Sequence, residues 1–489
     1  MKELEFDVVV AGCGIAGLTA AVSAAEKGAR VAVLERAPME ERGGNTRYTE
    51  AYLRMKNEQE IADDFEVHFA KNAGGHLDPS LVQEASGPYD SWSSIVKSLG
   101  FFDPELISTF ATAVPTTIKW LKDIGIRFEA LPTPFLTRNA PKLMPVGGGL
   151  ALIEALAARA ERLDVEFFYR TTATDLALDA SRGVAGVEAI SRILGPLRIS
   201  SPACVLACGG FEGNAEMLTQ YLGPQALYIR PVARGGYYNK GEGIRMALRA
   251  NAAPCGDYGN YHAEPMDPRS GITEPAIFIF PYGIIVNQLG RRFTDEAPGT
   301  VDASYERITR LIPFQPGGIA YALLDNKVTE IPNYRVAVRS DQPPIEADSL
   351  DEMAAKLNIA ARALQNTVAL YNDACVSGRF DPFNLDSLST QALDPPKSNW
   401  AQPIDKPPFM AYPMVAGNVF TFGGVKVNGL AQVLDHDGIP IMGLHAAGEM
   451  IGMYYKAYTG ATSVLRGAVF GKIAGAAAAQ CNKPRSSNS

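Results

Sequence analysis

The stretch Asp7-Val-Val-Val-Ala11-Gly12-Cys-Gly-Ile-Ala-Gly17 decides the fold. Its β-branched run has no helical period and reads as a strand, glycines 12, 14 and 17 follow at once, and Leu18 to Lys27 reads as an Ala-rich helix. Strand, glycine turn and helix in this order open a dinucleotide-binding unit. Gly12 permits the tight turn, Gly14 admits a pyrophosphate to the backbone, and Gly17 lets the helix lie close to the strand, with Ile15 and Ala16 beside the anion at the helix N-terminus. A second strand, Arg30 to Leu34, ends in Glu35, 18 residues after Gly17, where a ribose-binding acid is expected, and Arg36 adjoins it. A glycine turn alone is also an ordinary tight strand-to-helix connection. The flanking strand, helix and acid are what make it a ligand site. The motif does not choose between NAD and FAD, but a second glycine-rich turn, Arg42-Gly-Gly-Asn-Thr46, is suited to wrap a large ligand.

The rest of the composition narrows the class. The chain has 489 residues, 45 Lys and Arg against 53 Asp and Glu, a net charge of -8 and a pI near 5.4, without a basic run, which excludes a phosphate-tracking nucleic-acid binder. At 47% hydrophobic and 20% charged it is an ordinary globular protein of two or three domain-sized units. No apolar run reaches the roughly 18 residues of a membrane span. The opening Met1 to Phe6 lacks the basic-then-apolar pattern of a secretory signal, so a cytoplasmic chain that does not itself cross a membrane is expected. Six dispersed cysteines carry neither a disulfide framework nor haem or iron–sulfur spacing. Cys204 and Cys208 fall in what reads as a buried strand entering a glycine turn, so no metal site is expected, and redox electrons must leave by another route.

Several segments carry a family resemblance: Gly43-Gly-Asn-Thr46, Val205-Leu-Ala-Cys-Gly-Gly210, Lys240-Gly-Glu-Gly-Ile-Arg-Met246, Gly283-Ile-Ile-Val-Asn-Gln-Leu-Gly-Arg-Arg-Phe293 and Gly443-Leu-His-Ala-Ala-Gly-Glu449. In this order they resemble the flavoprotein family of fumarate reductase and succinate dehydrogenase. Arg47-Tyr-Thr-Glu-Ala-Tyr-Leu-Arg-Met55 and Pro395-Pro-Lys-Ser-Asn-Trp400 most resemble its tricarballylate dehydrogenase group. The resemblance implies FAD and an α/β fold, a split Rossmann-like FAD-binding domain with an inserted α+β capping domain. Its parts would be residues 1–260 and 418–489, with the cap at 261–417. It implies cofactor contacts from Gly43, Gly44, Asn45 and Thr46, from Gly148 and Gly149, and from Ala207, Cys208, Gly209 and Gly210. Gly448 and Glu449 would meet the ribityl chain; Thr462, Ser463 and Val464 would flank the pyrimidine end, at the positive end of a helix to about Ala479 that favours an anionic reduced flavin. Covalent family members attach flavin through a histidine at the position of Asn45, so FAD is expected to be held non-covalently.

Flavin chemistry on a carbon–carbon bond needs a group that exchanges a proton at one carbon and a polar grip on the neighbouring carbonyl or carboxylate. The family's catalytic arginine aligns with Thr300, its substrate histidine is absent before Gly423-Gly424, and its second substrate arginine aligns with Tyr458. His262 keeps a family histidine. Fumarate itself is therefore not the expected substrate. Tyr458, His262, Thr300 and Lys456 are the catalytic candidates; Arg47, Arg54, Arg138 and Tyr455 are candidates for gripping substrate, since arginine binds carboxylates in bidentate fashion. Each also has a structural reading, His262 as a hydrogen-bonder at the domain junction, Lys456 as a solvated charge, and one of Tyr454 and Tyr455 as core. Three functions stay open. The first is a tricarballylate-type dehydrogenase passing electrons to a separate membrane or iron–sulfur partner. The second is a ketosteroid-type dehydrogenase or ene-reductase, favoured by the tyrosines. The third is a flavoprotein subunit that relays electrons within a complex.

Overall fold

The computed structural model describes residues 1–72, 79–85, 87–98, 103–131 and 142–481. Val8–Ala11 is buried at every position and lies inside a six-stranded sheet ordered Gln432–Leu434, Pro440–Ala446, Cys204–Leu206, Val8–Ala11, Val31–Leu34, Glu166–Phe168. All neighbours are parallel except the first pair. A parallel strand covered on two faces explains why the sequence shows an unbroken apolar run rather than alternation. The helix after the glycine turn spans Ile15–Ala25, so it begins inside the motif, three residues before the sequence suggests.

That helix is buried along nearly its whole length because the C-terminal helix Ser463–Ala478 lies against it. The contact is backbone to backbone. A Cβ on Gly471 would stand 2.0 Å from Thr19 Oγ1 and 2.4 Å from Ala16 O, so only glycine allows this approach. Thr19 Oγ1 donates to Ile15 O at 2.8 Å, which keeps the hydroxyl satisfied in a dry seam.

A second sheet, Thr171–Leu178, Val184–Ser191, Gly195–Ser200 and Lys2–Glu5, flanks the first. The third is organised on one long strand, Phe409–Thr421, which pairs with Ile229–Pro231, Tyr261–Met266, Ala320–Leu324 and Ile345–Ala347, with Ile284–Asn287 beyond. Core side chains between Phe6 and Ala263 and between Ala416 and Ala479 form one apolar cluster, while those from Ile277 to Met414 form two others. The chain passes between these regions through Tyr261–Met266 and Phe409–Thr421, paired antiparallel with a register shift between His262 and Ala263. An irregularity of this kind re-aims a side chain, and it sets His262 opposite Phe420. Among the described residues no helix is long and apolar enough to cross a membrane.

His445 sits in Pro440–Ala446 opposite Val205, 1% exposed. Burial pushes its imidazole down to about 4, only partly offset by the Gly443 backbone. The folded value lies below the unfolded one of about 6.5, so the unfolded chain takes up the proton first. Stability held above pH ~6.5 is therefore lost as pH falls toward 4, by at most about 3 kcal/mol. His445→Leu is expected to flatten this part of the pH profile, measured by urea unfolding at several pH values; an unchanged slope would count against it.

Candidate functional site

A cleft holding about 1280 Å³ of space runs along the carboxyl ends of the parallel strands. This is where open α/β sheets bind ligands. At its centre the backbone of Gly12, with φ of +105°, turns so tightly that a Cβ would meet Ala207 O at 2.4 Å. Gly14, Ile15 and Ala16 line the cleft beside it, while Gly17 lies behind, packed under the turn. Glu35 closes one end. Its Oε2 accepts from Cys13 N at 2.8 Å and its Oε1 from Ala37 N at 2.7 Å. Burial raises this carboxyl, and the two backbone donors work against that. Arg36 donates to Tyr238 O at 2.9 Å and pairs with Glu242.

Gly44, Asn45 and Thr46 form part of the opposite wall, with Ala207, Cys208 and Gly209. Gly43, Gly148 and Gly149 do not line it; they pack the turn from behind, where Gly149 N donates to Thr49 O at 2.8 Å. Gly448, Glu449, Ser463 and Val464 complete the far end, with Gly210 pressed against Glu449 and Thr462 buried one layer down. Asn45 Nδ2 donates to Glu212 Oε1 at 2.6 Å and to Val419 O at 2.9 Å, leaving its Oδ1 buried without a partner. Glu212 is held well above the usual carboxylate range by burial and by neighbouring Glu449, whose own carboxyl is raised by burial.

Beside this end stands an aromatic cluster. Tyr458 packs edge-on to Phe420 at 5.1 Å and lies 4.4 Å from the His262 ring. The Tyr458 hydroxyl accepts from Thr462 N and Ser463 N, each at 3.0 Å, and donates to Ser463 Oγ at 3.0 Å. It thereby caps the C-terminal helix, which has no side-chain cap of its own. The Ser463 amide expected to face the ring of a bound flavin is thus engaged by Tyr458. His262 Nδ1 is 2.9 Å from Glu306 Oε2, and its Nε2 is 3.4 Å from Tyr305 Oη and 3.8 Å from Glu264 Oε1. Glu306 also pairs with Arg310 and accepts from Tyr458 N at 3.3 Å.

The other candidates are spread more widely. Thr300 is half-buried at the N-cap of helix Val301–Leu311, and its side chain makes no capping bond. Lys456 is exposed; its carbonyl accepts from Arg310 Nη1 at 2.9 Å. Tyr455 does not reach the cleft, because its hydroxyl is turned 3.3 Å from Cys255 Sγ, in a separate small cavity lined also by Lys426. Arg47 pairs with Glu154 at 3.1 Å. Arg54, 4% exposed, meets Asp64 at 3.1 and 2.5 Å and donates to Gly460 O at 3.1 Å. Arg138 lies outside the described residues. Sequence reasoning missed Glu212, Tyr305, Glu306 and Arg466. Arg466 lines the cleft, and its signal was legible as one cation inside the apolar run Ser463-Val-Leu-Arg-Gly-Ala-Val-Phe470.

The chain matches the FAD binding domain family over residues 7–465. It is 28% identical to the NADH:acrylate oxidoreductase of Vibrio harveyi over 96% of its own length, and spans about half, 50%, of that protein. With the vinyl phenol reductase of Lactiplantibacillus plantarum it shares 26% identity, covering 92% of this chain and 90% of the relative. A flavocytochrome c3 fumarate reductase in an open conformation has the same fold, with a TM-score of 0.72 at 22% identity over 98% of this chain and 78% of that one.

Glu35→Gln would turn an amide NH2 toward one of two backbone N–H donors, leaving a buried donor unmet at a cost of about 1–3 kcal/mol. The expected outcome is a weakening of flavin dinucleotide affinity by about tenfold or more, read by fluorescence titration of the apoprotein. Unchanged affinity would remove Glu35 from the site.

Proposed function

The chain belongs to the FAD-binding flavoprotein family of fumarate reductase and succinate dehydrogenase, and on that premise we propose that it interconverts a saturated and an unsaturated carbon–carbon bond beside a ketone or an arene in an uncharged substrate. FAD is its cofactor, and the cleft fits that group on two counts. The tight turn at Gly12 and the uncrowded Gly14 put the N-terminus of Ile15–Ala25 against the cleft, where a pyrophosphate would sit, and Asn45 Oδ1 and Glu212 Oε2 lie buried and unpartnered within the protein at the far end. Glu35 would hold the ribose at one end, and Glu449 the ribityl hydroxyls toward the other.

When bound, FAD supplies the two-electron exchange with carbon. The chain supplies the proton and the position. Tyr458 Oη, fixed by two amides and Ser463 Oγ, is the group that holds the proton exchanged at the adjacent carbon. His262, oriented by Glu306, with Tyr305 beyond it, stands against Tyr458 as the route by which that proton is replaced. Thr300, whose side chain makes no capping bond, and the exposed Lys456 do not offer the contacts for this task. Phe420 supplies an apolar wall that helps keep water out.

One observation carries the choice of an uncharged substrate: the arginines at this end are already engaged, Arg47 with Glu154, Arg54 with Asp64, Arg310 with Glu306 and Arg466 between the rings of Tyr454 and Phe420, while the acids Glu264 and Glu306 stand beside the aromatic cluster. A tricarboxylate would meet two acids there, and freeing Arg54 would leave Asp64 only His68, 3.5 Å away. The vinyl phenol reductase relative, matched over 90% of its length, supports the same choice. The cysteines are free and dispersed, so we assign the electrons to a separate redox partner.

Three outcomes are expected. FAD should be released into the supernatant on acid precipitation, because Asn45, committed to Glu212 and Val419, is not a nucleophile; retention in the pellet would show a covalent link. Anaerobically reduced protein should be reoxidised by a vinyl phenol or an α,β-unsaturated ketone faster than by a tricarboxylate alkene. Tyr458→Phe should retain FAD and lose about a hundredfold or more in that rate. Preference for the tricarboxylate would overturn the substrate class, and an unaffected variant would overturn the role of Tyr458.

A further inference from the structure

Arg466 is a cation where the fold has little to hold one. Its side chain is 1% exposed within a helix whose other buried residues are apolar or glycine. The guanidinium lies 4.6 Å from the Tyr454 ring centroid and 5.5 Å from that of Phe420. Nη1 donates to Ile451 O at 3.1 Å, and Nε is buried without a partner. Among the described residues no carboxylate forms an ion pair with it, although Glu449 is near enough to act through its field. A buried charge held by ring faces and one carbonyl is poorly compensated. The same side chain lines the cleft at the end where Ser463, Val464 and Phe420 stand.

The bookkeeping of the reaction supplies a counter-charge. Oxidation of a saturated substrate removes two electrons and two protons. Both electrons and one proton enter FAD, and the second proton goes to the protein, so bound FAD ends with one negative charge more than before. We propose that Arg466 is a potential-setting residue, whose buried guanidinium stabilises that added charge and raises the midpoint potential of FAD. Ring faces rather than a carboxylate anchor it, so its charge remains available to the cofactor. Burial raises the carboxyls of Glu212 and Glu449, and the guanidinium acts against this at Glu449. This inference rests on FAD occupying the cleft and not on the identity of the substrate.

The test is a comparison of Arg466→Met and Arg466→Lys with the unaltered protein. FAD content is read first from the visible spectrum; a protein that takes up no FAD would overturn the cofactor assignment and this proposal with it. Sulfite, which adds to oxidised flavin and leaves it negatively charged, is then titrated into each FAD-loaded protein, and the midpoint potential is measured with a reference dye. Arg466→Met should bind sulfite about tenfold more weakly and show a potential lower by about 30 mV, the equivalent of tenfold for a two-electron couple. Arg466→Lys should recover most of both. A side chain that merely fills space between Phe420 and Tyr454 would change the melting temperature and leave these readouts alone. Sulfite affinity within twofold and an unmoved potential in Arg466→Met would overturn the proposal. Should that variant not fold, the unaltered protein decides: its reduced FAD should keep the spectrum of the anion to a pH below that at which free reduced FAD becomes neutral, and loss of that spectrum at the free value would overturn the proposal.

Discussion

The packing of Ser463–Ala478 on Ile15–Ala25 is the constraint from which the site follows. Two helices far apart in sequence are pressed together across glycines on the second, and a Cβ at Gly475 would stand 2.1 Å from Ala20 O. That seam fixes where the C-terminal helix begins, and its first turn carries much of what is chemically active at this end of the cleft. Thr462 and Ser463 aim their amides at Tyr458, while Arg466, one turn further, reaches under Phe420. The first helix begins at the glycine turn and the last begins at the Tyr458 hydroxyl, so one glycine-lined contact sets the distance between the two ends of the cleft.

The electrostatics at that end are arranged by burial more than by pairing. Glu212 and Arg466 are almost fully buried and Glu449 half-buried between them and the cleft, where a charge interacts strongly with a neighbour. Beside the cleft, Glu306 gathers His262, Arg310 and the Tyr458 backbone, so the imidazole and the Tyr458 main chain are held from a single carboxylate. A change at Glu306 therefore disturbs two candidate proton groups together, and their contributions are not separable by single substitutions there.

The nucleotide end was legible because it depends on local spacing. Gly12, Gly14 and Glu35 stand at fixed offsets from buried strands, and the structure lines the cleft with all three. The substrate end depends on contacts across the chain. Nothing in the neighbourhood of Arg54 announces Asp64 as its bidentate partner, and nothing near Tyr455 announces that its hydroxyl turns toward Cys255. Of the nearby phenols at 454, 455 and 458, the first and last pack together against Phe420 while Tyr455 turns away, since the backbone there is irregular and periodicity gives no direction. Glu306 and Tyr305 escaped notice because a helix that reads as polar turns one edge to the aromatic cluster.

The long strand Phe409–Thr421 has a mechanical consequence. Its first residues are central to the sheet that carries Ala320–Leu324, and its last, Val419 and Phe420, face the cleft. A strand is stiff along its axis, so it behaves as a lever. Any rotation of the surrounding sheet is transmitted to Phe420, and through the paired Tyr261–Met266 to His262, in one stroke. Phe420 and His262, opposite one another in this pairing, are therefore coupled in position, and what displaces one displaces the other.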